Sequence, residues 1–230
     1  IDRVVEQMLD HQVDGMILAS VGLSDALAAR CEAAGIPVVL FNRGQAGSGL
    51  AQVTSANRTG GRKVAEFLMA GGHTRIGHVS GWQGSSTGRD RTEGFLDALA
   101  GAGQVVVGVE DGRYTHLGAI KAAETLAKGG VDALFVGNDH MAFAVMDHLR
   151  FTLNLRIPDD VSIVGYDDVP MAAWAGYGLT TVRQPVGRMV KATVEALITH
   201  IEDADAQTRT EEIDGPLILR GSARIPEGLQ

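Results

Sequence analysis

The sequence predicts an α/β protein of two lobes, each a parallel β-sheet flanked by helices. Three observations carry that expectation. Short apolar runs bounded by glycine or proline alternate with segments of helical periodicity along the whole chain. Runs such as Val161-Ser162-Ile163-Val164 lack the strict in–out alternation of a half-exposed strand, which suits strands buried on both faces. The β/α units also fall into two sets, before and after Gly71-Gly72. Two similar lobes with a cleft between them are the expected outcome.

Taken in order, Ile1, Val4, Val5, Met8 and Leu9 recur at helical spacing. Gly15 to Ala19 reads as a strand, Ser24 to Ala34 as a helix with Ser24 as N-cap, and Pro37 to Phe41 as a second strand. Asn42 to Gly49 is a glycine-rich loop whose spacing does not match a dinucleotide fingerprint. Helix Arg58 to Met69, strand Arg75 to Val79, helix Thr87 to Ala100 and strand Val105 to Val109 follow. Then come helix Leu117 to Ala127, strand Ala133 to Val136, helix Asp139 to Arg150 and strand Val161 to Val164. Leu179 to Val182, helix Val186 to Ile201, a polar loop to Glu212 and strand Ile213 to Leu219 complete the chain. A sheet rarely begins at a crossover helix, so one or more strands are expected upstream of Ile1.

Composition narrows the function. Of 230 residues, 45% are apolar and 21% charged, enough to bury a sizeable core. The net charge of −8 argues against a nucleic-acid grip by this stretch itself. A single cysteine, Cys31, excludes an internal disulfide framework and reads as a core residue. No apolar run approaches a membrane span, and no signal peptide opens the chain, so a cytoplasmic protein is expected.

Gly84-Ser85-Ser86-Thr87-Gly88 fits the G-x-S-x-G pattern of a nucleophile elbow, with Asp168 and His200 following in hydrolase order. That pattern needs serine at the immediate end of a strand, whereas the strand here ends near Val79. A serine hydrolase is therefore the remote alternative, and no catalytic residue is assigned. His73, His78 and the Asp139-His140 pair lack ligand spacing with a third partner, so no metal is expected, and no cofactor.

Polar and aromatic residues at successive strand ends are more informative, because ligands of open α/β sheets bind beyond the carboxyl ends of strands. Trp82 and Arg91 follow one strand, Tyr114 the next, Asn138 and Asp139 another, and Asp167 closes the run that ends in Gly165. Alone, each has an ordinary reading: Asn138 an N-cap, Arg91 a solvated helix charge, Tyr114 a core edge, Asp167 a loop cap. Together, aromatic faces, a guanidinium, a carboxamide and a carboxylate suit a sugar-like polyol.

Val161-Ser162-Ile163-Val164-Gly165-Tyr166-Asp167-Asp168, followed by Leu179-Thr180-Thr181-Val182-Arg183-Gln184-Pro185, resembles the LacI/GalR family of bacterial transcription regulators. Gly72-His73-x-x-Ile76-Gly77, Arg91-x-x-Gly94-Phe95, Asn138-Asp139-x-Met141-Ala142 and Arg220-x-Ser222 agree in the same order. The resemblance spans the chain. It implies an effector-binding core of two Rossmann-like lobes, similar to type I periplasmic sugar-binding proteins and joined by three crossovers. These are expected near Gly72, Gln184 and Glu212, giving lobes of 1–72 with 185–212 and 73–184 with 213–230. A helix-turn-helix head and the first strands, at least about 30 residues plus the head, are expected upstream. Operator DNA would be bound only through that head.

By resemblance, Asp167, Arg91 and Asn138 match the family's effector hydrogen-bonders. Tyr114 matches an aromatic wall, and Gln184 a crossover residue lining the cleft. Two departures stand on the first-lobe side: Ser55-Ala56 where the family shows Asp-Asn, and Asn42-Arg43 where it shows Asp-Arg. The function implied is a ligand-responsive regulator, a repressor by type, recognising a small polar effector of the sugar class. A periplasmic sugar-binding protein of a transport system is the alternative. A homodimer is also expected. Phe143 lies off the apolar stripe of its helix, and Trp174 with Tyr177 forms a second exposed-looking pair, so all three are candidate interface residues.

Overall fold

The computed structural model describes residues 2–19, 22, 24–203 and 205–228. Ile1, expected in the first helix, lies outside them. The first elements are α1 (Asp2–Asp10), β1 (Met16–Ala19), α2 (Asp25–Ala33), β2 (Val38–Phe41), β3 (Ala51–Ser55) and α3 (Asn57–Ala70). Next come β4 (Ile76–Ser80), α4 (Ser86–Gly101), β5 (Gly108–Asp111), α5 (His116–Lys128), β6 (Ala133–Val136) and α6 (Asp139–Phe151). β7 (Ser162–Asp167), a 3-10 turn (Pro170–Ala173), β8 (Thr180–Arg183), α7 (Val186–Glu202), β9 (Thr210–Ile213) and β10 (Leu217–Ile218) complete the chain.

Two compact units result, residues 1–56 with 185–213 and residues 57–184 with 214–230. The first holds a parallel sheet in the order β1-β2-β3-β9. The second holds a six-stranded sheet in the order β10-β8-β7-β6-β4-β5, parallel except for β10. One face of this sheet is covered by α5 and α6, with Leu134, Val136, Val145, Met146 and Ile163 in the shared core. The other is covered by α3 and α4, with Val64, Leu68, Phe95, Phe135 and Tyr166. Cover on both faces explains why β6 and β7 are apolar without alternation.

The structure corrects the expected division at Gly72. The first change of unit falls between Ala56 and Asn57, so α3 belongs with the second unit rather than the first. Gly61 and Gly94 explain its allegiance. A Cβ on Gly61 would collide with the Arg91 carbonyl, and one on Gly94 with the Arg58 carbonyl. The two backbones approach too closely for side chains between them, so α3 and α4 form one packed pair.

Three strands differ from expectation. No strand is expected between the loop ending at Gly49 and the helix from Arg58, because Gln52, Thr54 and Ser55 interrupt the apolar run that forms β3. All five of its residues are nonetheless buried. Gln52 can be buried because its carboxamide is satisfied by the preceding loop: Oε1 accepts from Gln45 N at 2.8 Å and Nε2 donates to Gln45 O at 2.9 Å. β5 begins at Gly108 instead of Val105, which is 82% exposed. As an edge strand, β5 pairs only with β4, so the valine run does not fix its register. The single strand expected over Ile213 to Leu219 is two, separated by Asp214-Gly215-Pro216: β9 in the first sheet and β10 in the second.

Phe143 is a further correction. It is 5% exposed, inside the α5–α6 core, with its ring 4.5 Å from that of Tyr177. Residues 141 to 146 are all buried, so α6 has no polar side at this level, and Phe143 does not present a surface. Tyr177 is half-buried, its hydroxyl donating to Asp147 at 3.1 Å, while Trp174 is 58% exposed.

Candidate functional site

The carboxyl ends of β4, β6, β7 and β8 gather polar groups in the second unit. Arg91, on the second turn of α4, is 3% exposed, which overturns the reading of a solvated helix charge. Its Nε donates to Asn57 Oδ1 at 2.9 Å, Nη1 to the Gly137 carbonyl at 2.7 Å and Nη2 to Asp167 Oδ1 at 3.2 Å. The guanidinium lies 3.6 Å from the centroid of the Tyr166 ring. Burial works against its charge, but Asp167, with Tyr166 and Tyr114 nearby, outweighs burial and holds the guanidinium more firmly protonated than usual. Gln184 Nε2 donates to the same Asp167 oxygen at 2.6 Å. Arg91, Asp167 and Gln184 therefore form one network.

Asp167 and Asp168 differ sharply despite being neighbours. Asp167 keeps 19% of its side chain accessible, and Asp168 5%. Asp168 is clamped by Arg183 Nε at 2.6 Å and Arg220 Nη2 at 2.7 Å. Arg220 also donates to the Leu179 carbonyl at 2.7 Å. Asp168 thus has a structural role in the Arg220-x-Ser222 motif, tying the C-terminal segment to β8. Ser222 Oγ completes the tie, accepting from Thr180 N at 2.8 Å and donating to the Ile163 carbonyl at 2.6 Å.

Asn138 is the N-cap of α6, its Oδ1 accepting from Met141 N at 2.9 Å, and its amide nitrogen remains for another partner. Tyr114 sits at φ 56° with its ring against Gly81, and its hydroxyl is buried without a hydrogen-bond partner among the described residues. Trp82 is 52% exposed at the end of β4. Two contributors escaped the sequence reading. Asn57 orients Arg91, and Tyr166 supplies the ring beneath it. Asn57 stands three residues before Gly60-Gly61, a spacing that could have found it, and directly after the departure noted at Ser55-Ala56.

The hydrolase alternative gains nothing from this geometry. The serine of that pattern, Ser86, is the first residue of α4 and is separated by a loop from the end of β4 at Ser80, and both oxygens of Asp168 are held by arginines. His200 lies in α7, its Nδ1 2.7 Å from the Ala196 carbonyl. Among the described residues no group of three His, Cys, Asp or Glu side chains is placed to hold a metal ion. Among them, too, no helix is long and apolar enough to cross a membrane.

Sheet order, covered faces and a polar cluster beyond the strand ends together define a periplasmic-binding-protein-like domain, and the model of that domain family matches residues 65–223. The chain belongs to the LacI/GalR family of transcriptional regulators, as its effector-binding core. It is 28% identical over 225 residues to the HTH-type transcriptional repressor PurR of Photobacterium profundum, covering 96% of this chain and 67% of that protein. It is 30% identical over 227 residues to the HTH-type transcriptional regulator CelR of Thermobifida fusca, covering 96% of this chain and 66% of that one. The chain thus spans about two thirds of the length of these relatives. The solved structure of a transcriptional regulator CelR–cellobiose complex superposes with a TM-score of 0.86 at 29% identity, covering 96% of this chain and 69% of that one.

Proposed function

We propose that this core binds a small polar effector, of the saccharide class, at the carboxyl ends of β4, β6, β7 and β8, and that binding sets the operator affinity of a DNA-binding head in the full regulator. The observation that carries the reading is the Arg91–Asp167–Gln184 network, a charge-assisted cluster at the sheet position where α/β proteins take ligands. Asp167 offers an oxygen to paired hydroxyls, the free amide of Asn138 a donor, and the unpartnered Tyr114 hydroxyl one more polar group. Trp82 supplies an aromatic face for C–H groups. The cellobiose bound by the CelR relative supports a saccharide. The regulatory step is linkage: an effector that prefers one arrangement of the core shifts the population toward it.

A thermal-shift screen of sugars, sugar phosphates, nucleosides and purines identifies the effector, since a ligand of the native state raises the melting temperature. Asp167→Ala then weakens its binding by about 2–5 kcal/mol, read by calorimetry, as when one partner of a buried charged pair is removed. Unchanged affinity would place the site elsewhere. The same reading includes a cytoplasmic homodimer. Trp174, exposed on the turn after β7, is the interface residue it favours, whereas Phe143 is buried in the core. Trp174→Asp then gives a monomer by sedimentation, and a wild-type chain that is itself monomeric sinks the pairing.

A further inference from the structure

We infer that Asp139, buried beneath the turn that carries Asp167, is the positioning residue that holds this turn in its effector-binding form. The inference rests on the site proposed above. Asp139 is fully buried at the first position of α6. Its Oδ2 accepts from the backbone N–H of Val169 at 2.9 Å, and its Oδ1 from the hydroxyl of Thr181 at 2.6 Å. It thereby joins the start of α6 to β8 and to the exit of the Asp167–Asp168 turn.

That turn needs an anchor. Asp167 has φ 123° and Asp168 φ 58°, conformations that side-chain-bearing residues adopt at a cost and keep only where their surroundings impose them. The clamp of Arg183 and Arg220 fixes Asp168 from one side. Asp139 fixes the peptide on the other, one residue beyond. With both ends of the turn held, the Asp167 carboxylate stays directed at Arg91 and Gln184, and the Asp167 carbonyl accepts from Gln184 N at 3.2 Å. Gly165 fits the same account: a Cβ there would collide with Asp139 Oδ1, so the carboxylate occupies the space a side chain would need.

Chemistry separates this role from mere filling of volume. Asparagine can keep both contacts, its carbonyl oxygen accepting from Val169 N and its amide donating to Thr181 Oγ1. Alanine keeps neither. Amide hydrogen exchange of the unliganded protein tests the idea without any effector. In Asp139→Ala, exchange at Val169 and Gln184 speeds up at least about tenfold relative to strands β4 and β6, and Asp139→Asn restores protection. Thr181→Val, which leaves the Val169 contact, produces a smaller rise. Unchanged protection at Val169 in Asp139→Ala overturns the inference, as does an asparagine variant that is as unprotected as alanine. In a second arm, binding of cellobiose, ribose and hypoxanthine is measured on the same variants. If none binds the wild type, the saccharide reading loses ground, while the exchange data still decide whether Asp139 holds the turn.

Discussion

The two units repeat the same β/α construction but treat apolar surface differently. In the second unit, both faces of the six-stranded sheet are covered, and α6 is buried over six consecutive residues. In the first, α7 buries Met189 and Thr193 and leaves Val186, Val190, Val194, Ile198 and Ile201 between 41% and 53% exposed. Val4 and Met8 of α1 and Ile17 of β1 are exposed as well. The lesson is that an apolar stripe in sequence reports a face able to be covered, not one that is covered. Cost of substitution should follow the cover and not the hydrophobicity.

The largest expected effect lies in the second unit. Phe143→Asp removes a packed ring, worth about 3–5 kcal/mol by itself, and places a carboxylate where its ring met Tyr177. Urea denaturation followed by near-ultraviolet dichroism should show the cooperative transition of this unit lost or greatly weakened. Trp174→Asp, a few residues before Tyr177 but at an exposed ring, should stay within about 1 kcal/mol of wild type when both are compared at a concentration low enough for wild type to be monomeric. A folded, stable Phe143→Asp protein would break the comparison at its strong end.

Phe143 also marks where the sequence stopped being informative. Helical periodicity separates a buried stripe from a polar one only if a helix is covered from one side. α6 is covered by the sheet, by α5 and by the segment carrying Tyr177, so the position that fell off the stripe is buried too. β6 and β7 were legible because cover on both faces leaves continuous apolar runs. β3 was not, because its buried polar residues find partners in a loop that no local pattern reveals. At the site, Asp167 was legible from its place after Gly165. Arg91 alone looked like a surface charge. Its burial depends on Asn57, Gly137 and Tyr166, which lie far from it in sequence; Asn57 meets it through the α3–α4 packing, and Gly137 and Tyr166 where α4 packs on the sheet.

A middle-sized effect comes from two buried titratable groups of the second unit that respond to pH in opposite senses. Burial pushes Asp139 up to about 7 despite hydrogen bonds from Thr181 and Val169, with Asp167 and Asp168 adding to the rise. Burial pushes His78, sandwiched near Phe95 and Phe135, down to about 4 against its hydrogen bond to the Phe135 carbonyl. For His78, the unfolded chain binds more protons between pH 4 and 6.5, so its contribution is present above about pH 6.5 and is lost as pH falls toward 4. For Asp139, the native state binds more protons from the ordinary aspartate range up to about 7, so its contribution is present at low pH and is lost as pH rises through 7. In the shared window the two slopes oppose each other. Asp139→Asn removes one of them, so its stability relative to wild type should fall by about 3 kcal/mol between pH 6.5 and pH 4. His78→Gln should shift the relative stability in the opposite direction. Parallel stability–pH curves for wild type and Asp139→Asn would mean that the two groups do not titrate in opposition.

The smallest effect tests the open face of the first unit. Val186, Val190, Val194 and Ile198 recur every four residues, with Ile201 three further on, so they drift slowly around α7 beside the buried line of Met189 and Thr193. Met189 packs with Val39, Val53 and Ile213, and the sheet side of α7 needs it apolar. Val190, 47% exposed, has no such demand. Lysine there keeps the methylene stem over the helix and places its charge in water, and it has a better helix propensity than valine. Val190→Lys in this 230-residue chain should therefore change stability by no more than about 0.5 kcal/mol, as exposed positions do, whereas Met189→Lys should cost several kcal/mol. Urea denaturation of the two variants is the measurement. A loss above about 1.5 kcal/mol for Val190→Lys would show that the stripe is covered in solution. Sedimentation would then show whether a second copy of the chain provides the cover, because only in that case does the substitution lower the sedimentation coefficient.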